Sequence, residues 1–293
     1  VLAAAALAGA LLVLVPTRYV TPGWPATGWA VVACDVGQGD ALVLATAQPG
    51  RAVLVDAGAD PGPVASCLDR LGVRQLALVV LSHLHADHIG GLSGALRGRP
   101  VAAVALGPGR SPPWAFAEIR RTAAAAGAPL VALAAGQRLS LPGLVLDVLG
   151  PRDAPTPTTD ADAEVDGSTV NNASVVLRAA TPAGSVLLTG DAELAAQAEL
   201  LTSGIDLRAD VLKVPHHGSR TTAEEFLDAV NPRVALVSVG ADNSYGHPSR
   251  EVLDALGDNG TRVLRTDLGG DVAITATPAG PAAVARGDPR PSP

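Results

Sequence analysis

The sequence predicts a four-layer α/β sandwich, two mixed sheets packed face to face with helices outside, and three observations carry that prediction. The chain reads as two halves, each opening with a strand hairpin and continuing as β-α units. Hydrophobic residues make up 48% of the 293 but aromatics only 2%, so a core must be built from Val, Leu and Ala. The residues able to bind metal gather where apolar runs end, on loops between a strand and a helix. The length itself allows one large domain or two small ones.

Residues 1–15 are apolar throughout and lead into Pro16-Thr17-Arg18-Tyr19. A helix of that length rises about 21–23 Å, short of a hydrocarbon core of about 30 Å. No basic stretch precedes it, as one would in a signal peptide. Residues 1–16 are therefore expected to be the end of a truncated transmembrane helix, with Arg18 and Tyr19 at the interface. Residues 17–28, with their Pro and Gly, read as a linker to a folded unit over 29–278.

Three strands are predicted at 29–34, 41–45 and 52–55, separated by Asp35-Val36-Gly37-Gln38-Gly39-Asp40 and Gln48-Pro49-Gly50. A helix over 63–71, a buried strand over 76–81, a helix over 89–96 and a strand over 101–106 follow. Pro113 starts a helix reaching 126, and 144–149 is a strand. Residues 151–170 carry Pro, Thr, Asp and Ala without periodicity, the pattern of a mobile acidic loop. A hairpin (173–180 and 185–189) resumes the order around Thr181-Pro182-Ala183-Gly184. Then come a helix over 192–203, a strand over 211–214, a helix over 223–229 and a strand over 234–239. Ser249 caps a helix to 256, strands at 263–265 and 272–276 close the sheet, and 279–293 is expected to be a disordered tail.

A net charge of −7 excludes a broad basic face of the kind that holds DNA through its phosphates. Nucleic-acid contact must then be local, or helped by metal ions or a partner. Cys34 and Cys67 match no metal spacing, and so small a count is expected to mean two buried free thiols.

Chemistry concentrates in Ser82-His83-Leu84-His85-Ala86-Asp87-His88-Ile89-Gly90-Gly91, directly after a buried strand. A tight loop can aim all four ligand side chains at one region, which a helix or strand cannot. His83 and His85 are placed to grip one metal, Asp87 and His88 a second beside it, with nitrogen and carboxylate donors suited to Zn or Mn. The other three of the six histidines also lie in compact motifs, His216-His217-Gly218-Ser219 and Tyr245-Gly246-His247-Pro248.

With these motifs the sequence resembles the metallo-β-lactamase superfamily. The resemblance implies an αββα fold, Asp56 in Leu54-Val55-Asp56-Ala57-Gly58 as a brace for the histidine loop, and Asp191 in Leu187-Leu188-Thr189-Gly190-Asp191 as a bridging ligand. It also implies a last histidine ligand in Lys213-Val214-Pro215-His216-His217-Gly218-Ser219, with His216 and His217 both open as that ligand. One departure stands out. No histidine lies between His88 and His216, where many members have a further ligand, and Asn171-Asn172 occupies that segment. A finer resemblance is to the C-terminal domain of the ComEC family of DNA-uptake membrane proteins. It rests on Asp35-Val36-Gly37-Gln38-Gly39-Asp40-Ala41, the histidine loop, Asn171-Asn172-Ala173-Ser174-Val175-Val176-Leu177, the Asp191 and His216-His217 motifs, and Ser238-Val239-Gly240-Ala241-Asp242-Asn243-Ser244-Tyr245-Gly246-His247-Pro248.

What that implies is phosphodiester hydrolysis of DNA by a hydroxide held between two divalent ions, Mn or Zn, about 3.5–4 Å apart. Asp87, Asp191 and His247 are then catalytic candidates, His247 as substrate contact or proton donor. Asp35, Gln38, Asp40, Asn171, Asn172, Lys213, Ser219 and Asn243 are candidate substrate contacts. The implied setting is the outer face of the cell membrane, anchored by the N-terminal segment, among other DNA-uptake components, on the strand that is not imported. Two other readings stand beside it: a phosphoesterase on a small substrate such as a phosphocholine ester, and a non-catalytic, metal-stabilised module of the uptake channel.

Overall fold

The computed structural model describes residues 24–152 and 166–287. The expected transmembrane segment 1–16, most of the linker and the centre of the acidic stretch lie outside the described residues. No helix among those described is long and apolar enough to cross a membrane.

Fifteen strands among the described residues make two sheets. The first holds β1 (Trp29–Ala33), β2 (Leu42–Ala45), β3 (Arg51–Val55), β4 (Gln75–Leu81), β5 (Val104–Leu106) and β6 (Leu130–Ala132) in chain order. The second holds β7 (Arg138–Leu141), β8 (Leu144–Gly150), β9 (Val176–Thr181), β10 (Gly184–Leu188), β11 (Val211–Lys213), β12 (Val234–Val237) and β13 (Arg262–Arg265). The last strands, β14 (Val272–Thr277) and β15 (Gly280–Ala285), return to the first sheet, where β14 pairs antiparallel with β1 through Val31 and Ile274.

Period-two alternation explains the layering. In β3, Val53 and Val55 face the other sheet while Ala52 and Leu54 face the outer helices. In β12, Val234 and Leu236 face inward while Ala235 and Val237 meet the helices on the far side. One apolar layer therefore lies between the sheets and one lies outside each, as the predicted four layers require.

The topology positions the site. Strands β3 to β6 are parallel to one another, and so are β10 to β13. The loops after β1, β3 and β4 in one sheet and β10, β11 and β12 in the other emerge at one end of the sandwich. Hydrogen bonds join the two sheets at this end: the Val175 N–H, just before β9, donates to the Ser82 carbonyl (2.9 Å) and Ser238 Oγ to the Gly39 carbonyl (2.7 Å).

Several expectations are corrected. Cys34 and Cys67 form a disulfide with Cα atoms 6.0 Å apart, because the end of β1 packs on the helix Pro61–Arg70, a proximity that a spacing of 33 residues does not announce. The acidic stretch ends in a helix, Gly167–Asn172, so its last residues are not loop. The expected disordered tail supplies β15, paired with β14 from Val272–Ala285 to Thr277–Gly280. The helix predicted at 89–96 is two, Ala86–Ile89 and Leu92–Leu96. The predicted cap holds: Ser249 Oγ accepts from the Val252 N–H at the start of Arg250–Asp258.

Candidate metal centre

The histidine loop leaves β4 and turns at once into the short helix Ala86–Ile89. Gly90 and Gly91 let that turn press on the loop after β3: an added Cβ would stand 2.0 Å from the Ala59 carbonyl oxygen and 1.9 Å from that of Ala57. Asp56, at the end of β3, accepts from the Ser82 N–H (2.7 Å), the Ser82 hydroxyl (2.7 Å) and His88 Nδ1 (3.0 Å). From the other sheet, Gly190 takes φ +51, and a side chain there would meet Ser82 Oγ at 2.8 Å. That close approach carries Asp191 against the histidine loop.

Four imidazoles converge on one oxygen. Asp191 Oδ2 lies 3.2 Å from His88 Nε2, 3.4 Å from His217 Nε2, 3.8 Å from His216 Nε2 and 3.9 Å from His83 Nε2. Asp87 Oδ2 lies 3.3 Å from His217 Nε2, and His85 Nδ1 lies 3.2 Å from His83 Nε2. Each converging ring is held at its far nitrogen. His217 Nδ1 donates to the Ser238 carbonyl (2.8 Å), His216 Nδ1 lies 3.1 Å from Glu193 Oε1, and His83 Nδ1 lies between the hydroxyls of Ser82 (3.1 Å) and Ser174 (3.3 Å). Because a carbonyl or carboxylate only accepts, Nδ1 carries the hydrogen in His88, His216 and His217, and Nε2 is the atom left to face the cluster.

The backbone is strained to achieve this. Of four non-glycine residues with positive φ among those described, three are Asp56 (φ 60), His216 (φ 45) and His217 (φ 55). Consecutive left-handed residues at 216 and 217 splay adjacent rings so that both reach Asp191. Such conformations cost of order 1–3 kcal/mol each and persist where surrounding structure enforces them.

Charge in the cluster is dense. Asp40, Asp56 and Asp191 are buried, with Lys213 the buried ammonium beside them, fully enclosed and paired with Asp40 Oδ2. Burial alone would raise Asp191, but His217 and His88 hold its carboxyl well below the ordinary range. The same opposition, won by Asp191 and by Asp56 or Asp40, holds His88 and His217 well above the ordinary imidazole value. Burial and the neighbouring His88 hold His83 well below it.

These donors fit a divalent ion. Asp87, His88, Asp191 and His217 each offer one ligand atom, all within 4.8 Å of one another. His88 Nε2, His217 Nε2 and Asp191 Oδ1 are buried without a hydrogen-bond partner, as donor atoms awaiting a cation are. A second group, Asp40, Asp56 and His88, is as compact. Lys213 already neutralises Asp40 there, and Ser82 and His88 satisfy Asp56, so that group braces the site rather than adding a metal.

The side chains of several candidate substrate contacts are engaged within the fold. Lys213 is enclosed, so its ammonium meets Asp40 and the Gly190 carbonyl (3.3 Å), not solvent. Asp40, 1% exposed, sits 3.4 Å from His217 Nδ1. Asn172 Oδ1 accepts from the N–H groups of Glu193 (3.1 Å) and Ala196 (3.0 Å) where the helix Leu194–Thr202 begins, and Asn171 donates to Glu193 (2.7 Å). Asn243 spends its amide on Gly240 and His247 backbone groups, Gln38 Oε1 accepts from Gly240 N–H (3.3 Å), and Asp35 contacts Asp271 and Gly37. Ser219 accepts from Thr221. Burial, then His216 and His217, push His247 down to about 4, so its ring is neutral at pH 7 and ill suited to donate a proton. Ser82, Ser174, Glu193 and Ser238, which orient the ligands, went unrecognised in the sequence. Ser82 heads the histidine motif, Ser174 closes Asn171-Asn172-Ala173-Ser174 and Ser238 opens the motif that ends at Pro248, so only Glu193 lay outside every motif.

A family model described as the metallo-beta-lactamase superfamily matches residues 34–241. ComE operon protein 3 of Bacillus subtilis (strain 168) is 31% identical over 257 residues, covering 81% of this chain and 32% of that protein. Competence protein ComA of Neisseria gonorrhoeae is 32% identical over 247 residues, covering 82% and 31%. This chain thus spans about a third of the length of these relatives, and their names bear out the expected ComEC resemblance. The crystal structure of Zn(2+)-bound PqqB from Methylobacterium extorquens superposes with a TM-score of 0.50 at 12% identity, covering 80% of this chain and 97% of that one. That likeness shows the fold alone.

Proposed function

This chain belongs to the metallo-β-lactamase superfamily, and from that premise we propose that it is the metal-dependent nuclease domain of a DNA-uptake channel protein. It hydrolyses phosphodiesters of DNA, single strands above all, on the strand that is not imported during natural transformation. The observation that carries the reading is the convergence of four imidazole Nε2 atoms within 3.9 Å of Asp191 Oδ2, with Asp87 beside them.

His83, His85, Asp87, His88, Asp191, His216 and His217 are the residues that would hold two divalent ions. When bound, such ions supply hydroxide at neutral pH and Lewis acidity toward a phosphate oxygen. The chain's own residues prepare the site. Asp56, Ser238 and Glu193 fix the tautomers of His88, His217 and His216. Lys213 balances buried Asp40 from beneath, where an unpaired carboxylate would cost several kcal/mol. The half-buried His247 lies with its ring centroid 5.2 Å from that of His216, at the rim where a substrate enters, and as a neutral ring it accepts or donates a hydrogen bond to substrate rather than acting as an acid.

Competence names among the relatives support the DNA-uptake setting. The Cys34–Cys67 disulfide supports an oxidising location, hence the extracytoplasmic side of the cell membrane. The net charge of −7 favours a second reading, a small phosphoester substrate. Incubation of the protein with labelled single-stranded DNA across Mn, Mg and Zn decides between them. Metal-dependent cleavage that Asp191→Ala abolishes is expected, and cleavage retained in that variant would overturn the site. Turnover of a small diester that excess DNA fails to inhibit would favour the second reading. No turnover of either, with unfolding on chelation, would leave a structural metal module.

A further inference from the structure

The chain holds three Trp, two Tyr and two Phe in 293 residues, yet Tyr245 stands 72% exposed. It belongs to the 240–248 loop, which follows β12 at the end of the sandwich that carries the ligand loops. Its ring stacks on His247, with centroids 5.9 Å apart and planes inclined by 28°. His247 in turn lies 5.2 Å from His216 and 6.3 Å from His217, centroid to centroid. A row of rings thus runs from solvent to the metal ligands.

The loop that presents Tyr245 is fixed. Asn243 Nδ2 donates to the carbonyls of Gly240 (3.0 Å) and His247 (2.9 Å), and Asn243 Oδ1 accepts from the His247 N–H (3.2 Å). A ring already held by its loop and by a stacked neighbour loses little freedom when a ligand lands on its open face. Charge offers the site little help. The chain is acidic overall, Arg220 is engaged by Glu251 at 3.6 Å, and Arg250 by Asp254 at 3.5 Å. Whatever holds an extended substrate outside the metals must work without a basic groove. Stacking does so, because every base has a π face whatever its sequence.

We propose that Tyr245 is a base platform: it receives the nucleobase next to the scissile phosphate and makes an unpaired nucleobase part of what the site recognises. The role rests on the nuclease reading and narrows it to single strands, since a paired base has no free face to offer.

The test compares a labelled oligothymidine of about 20 residues with an abasic strand of equal length, the range of effect being that of one base-on-aromatic stack. Fluorescence anisotropy on the metal-chelated protein reads binding without turnover, and KM with manganese reads it during cleavage. The wild-type protein is expected to bind the base-bearing strand about 5- to 150-fold more tightly than the abasic one. Tyr245→Ala is expected to erase that ratio by weakening the base-bearing strand alone, and Tyr245→Trp to preserve it. Equal binding of both strands by the wild type, or equal weakening of both by Tyr245→Ala, overturns the platform. Cleavage of both strands at equal KM would leave the nuclease reading standing and the platform fallen. Base discrimination lost in Tyr245→Ala, with neither strand cut under any metal, would leave the platform standing and the nuclease reading fallen.

Discussion

His88 is engaged at both ring nitrogens, Nδ1 on Asp56 at 3.0 Å and Nε2 facing Asp191 at 3.2 Å. Asp56 therefore decides which nitrogen a metal meets, although it never faces the cluster's interior. Asp56→Ala frees the ring to turn and leaves the Ser82 N–H and hydroxyl without their acceptor. Metal affinity should fall about 10- to 100-fold, read by competition with a chelating dye, with the fold retained in circular dichroism. Unchanged affinity would show that packing alone orients His88. The cluster of candidate ligands was legible in the sequence because His83 to His88, Asp191 and His216-His217 each occupy a few consecutive residues at a strand end. Their orienting partners were not. Glu193 acts through a contact with His216, more than 20 positions away, and no local pattern marks such a partner. Lys213, placed by the sequence among the substrate contacts, is instead enclosed by the fold and paired with Asp40, and Asn243 is engaged by the backbone of its own loop.

At the scale of elements, the helix Pro61–Arg70 is tied down twice in its second half. Cys67 bonds Cys34 at the end of β1, and Arg70 at its last turn donates to Asp271 through Nε (2.9 Å) and Nη2 (2.6 Å). Asp271 also accepts from the Asp35 N–H (2.9 Å), so helix, 35–40 loop and β14 share one buried carboxylate. Removing the cross-link restores freedom mainly to the unfolded chain. The double change Cys34→Ser and Cys67→Ser should cost about 2–4 kcal/mol, seen as a lower urea midpoint with an equal loss on reduction of the native protein. An unchanged midpoint would mean the bond constrains nothing that packing leaves free. The strands and longer helices of both halves followed from apolar runs and turn residues. Three of the four edge strands did not, β13 being the exception. β6 and β7 are largely exposed, and β15 carries Gly280 and Pro281 where alternation would be sought. Edge strands form because a neighbour offers unpaired backbone groups, which is a property of the assembled sheet.

For the molecule as a whole, the end of the sandwich that gathers the candidate ligands carries more carboxylate than its one buried ammonium can balance. Asp40, Asp56, Asp87 and Asp191 meet there, and Lys213 is paired with Asp40. In the metal-free protein protons make up the difference. Burial opposes it, but Asp191 with Asp56, and Asp191 with Asp40, hold His88 and His217 well above the ordinary value of 6.5, so both rings keep a second proton to higher pH than a free imidazole does. A divalent ion needs the same Nε2 atoms unprotonated. Loading should therefore release protons, and apparent affinity should climb as pH rises towards the raised imidazole values. Calorimetric titration in two buffers of different ionisation enthalpy checks this, and no buffer dependence would refute it. The sign for stability follows. A raised imidazole stabilises the metal-free fold below 6.5, and that contribution is lost as pH rises through the raised value. Metal stabilises the loaded fold more as its affinity grows, by about 2.7 kcal/mol when free metal is about a hundredfold above Kd. Both effects act in one direction, so the drop in Tm on adding chelator should widen as pH is raised, and a gap that narrows with pH would place the bound ions away from His88 and His217.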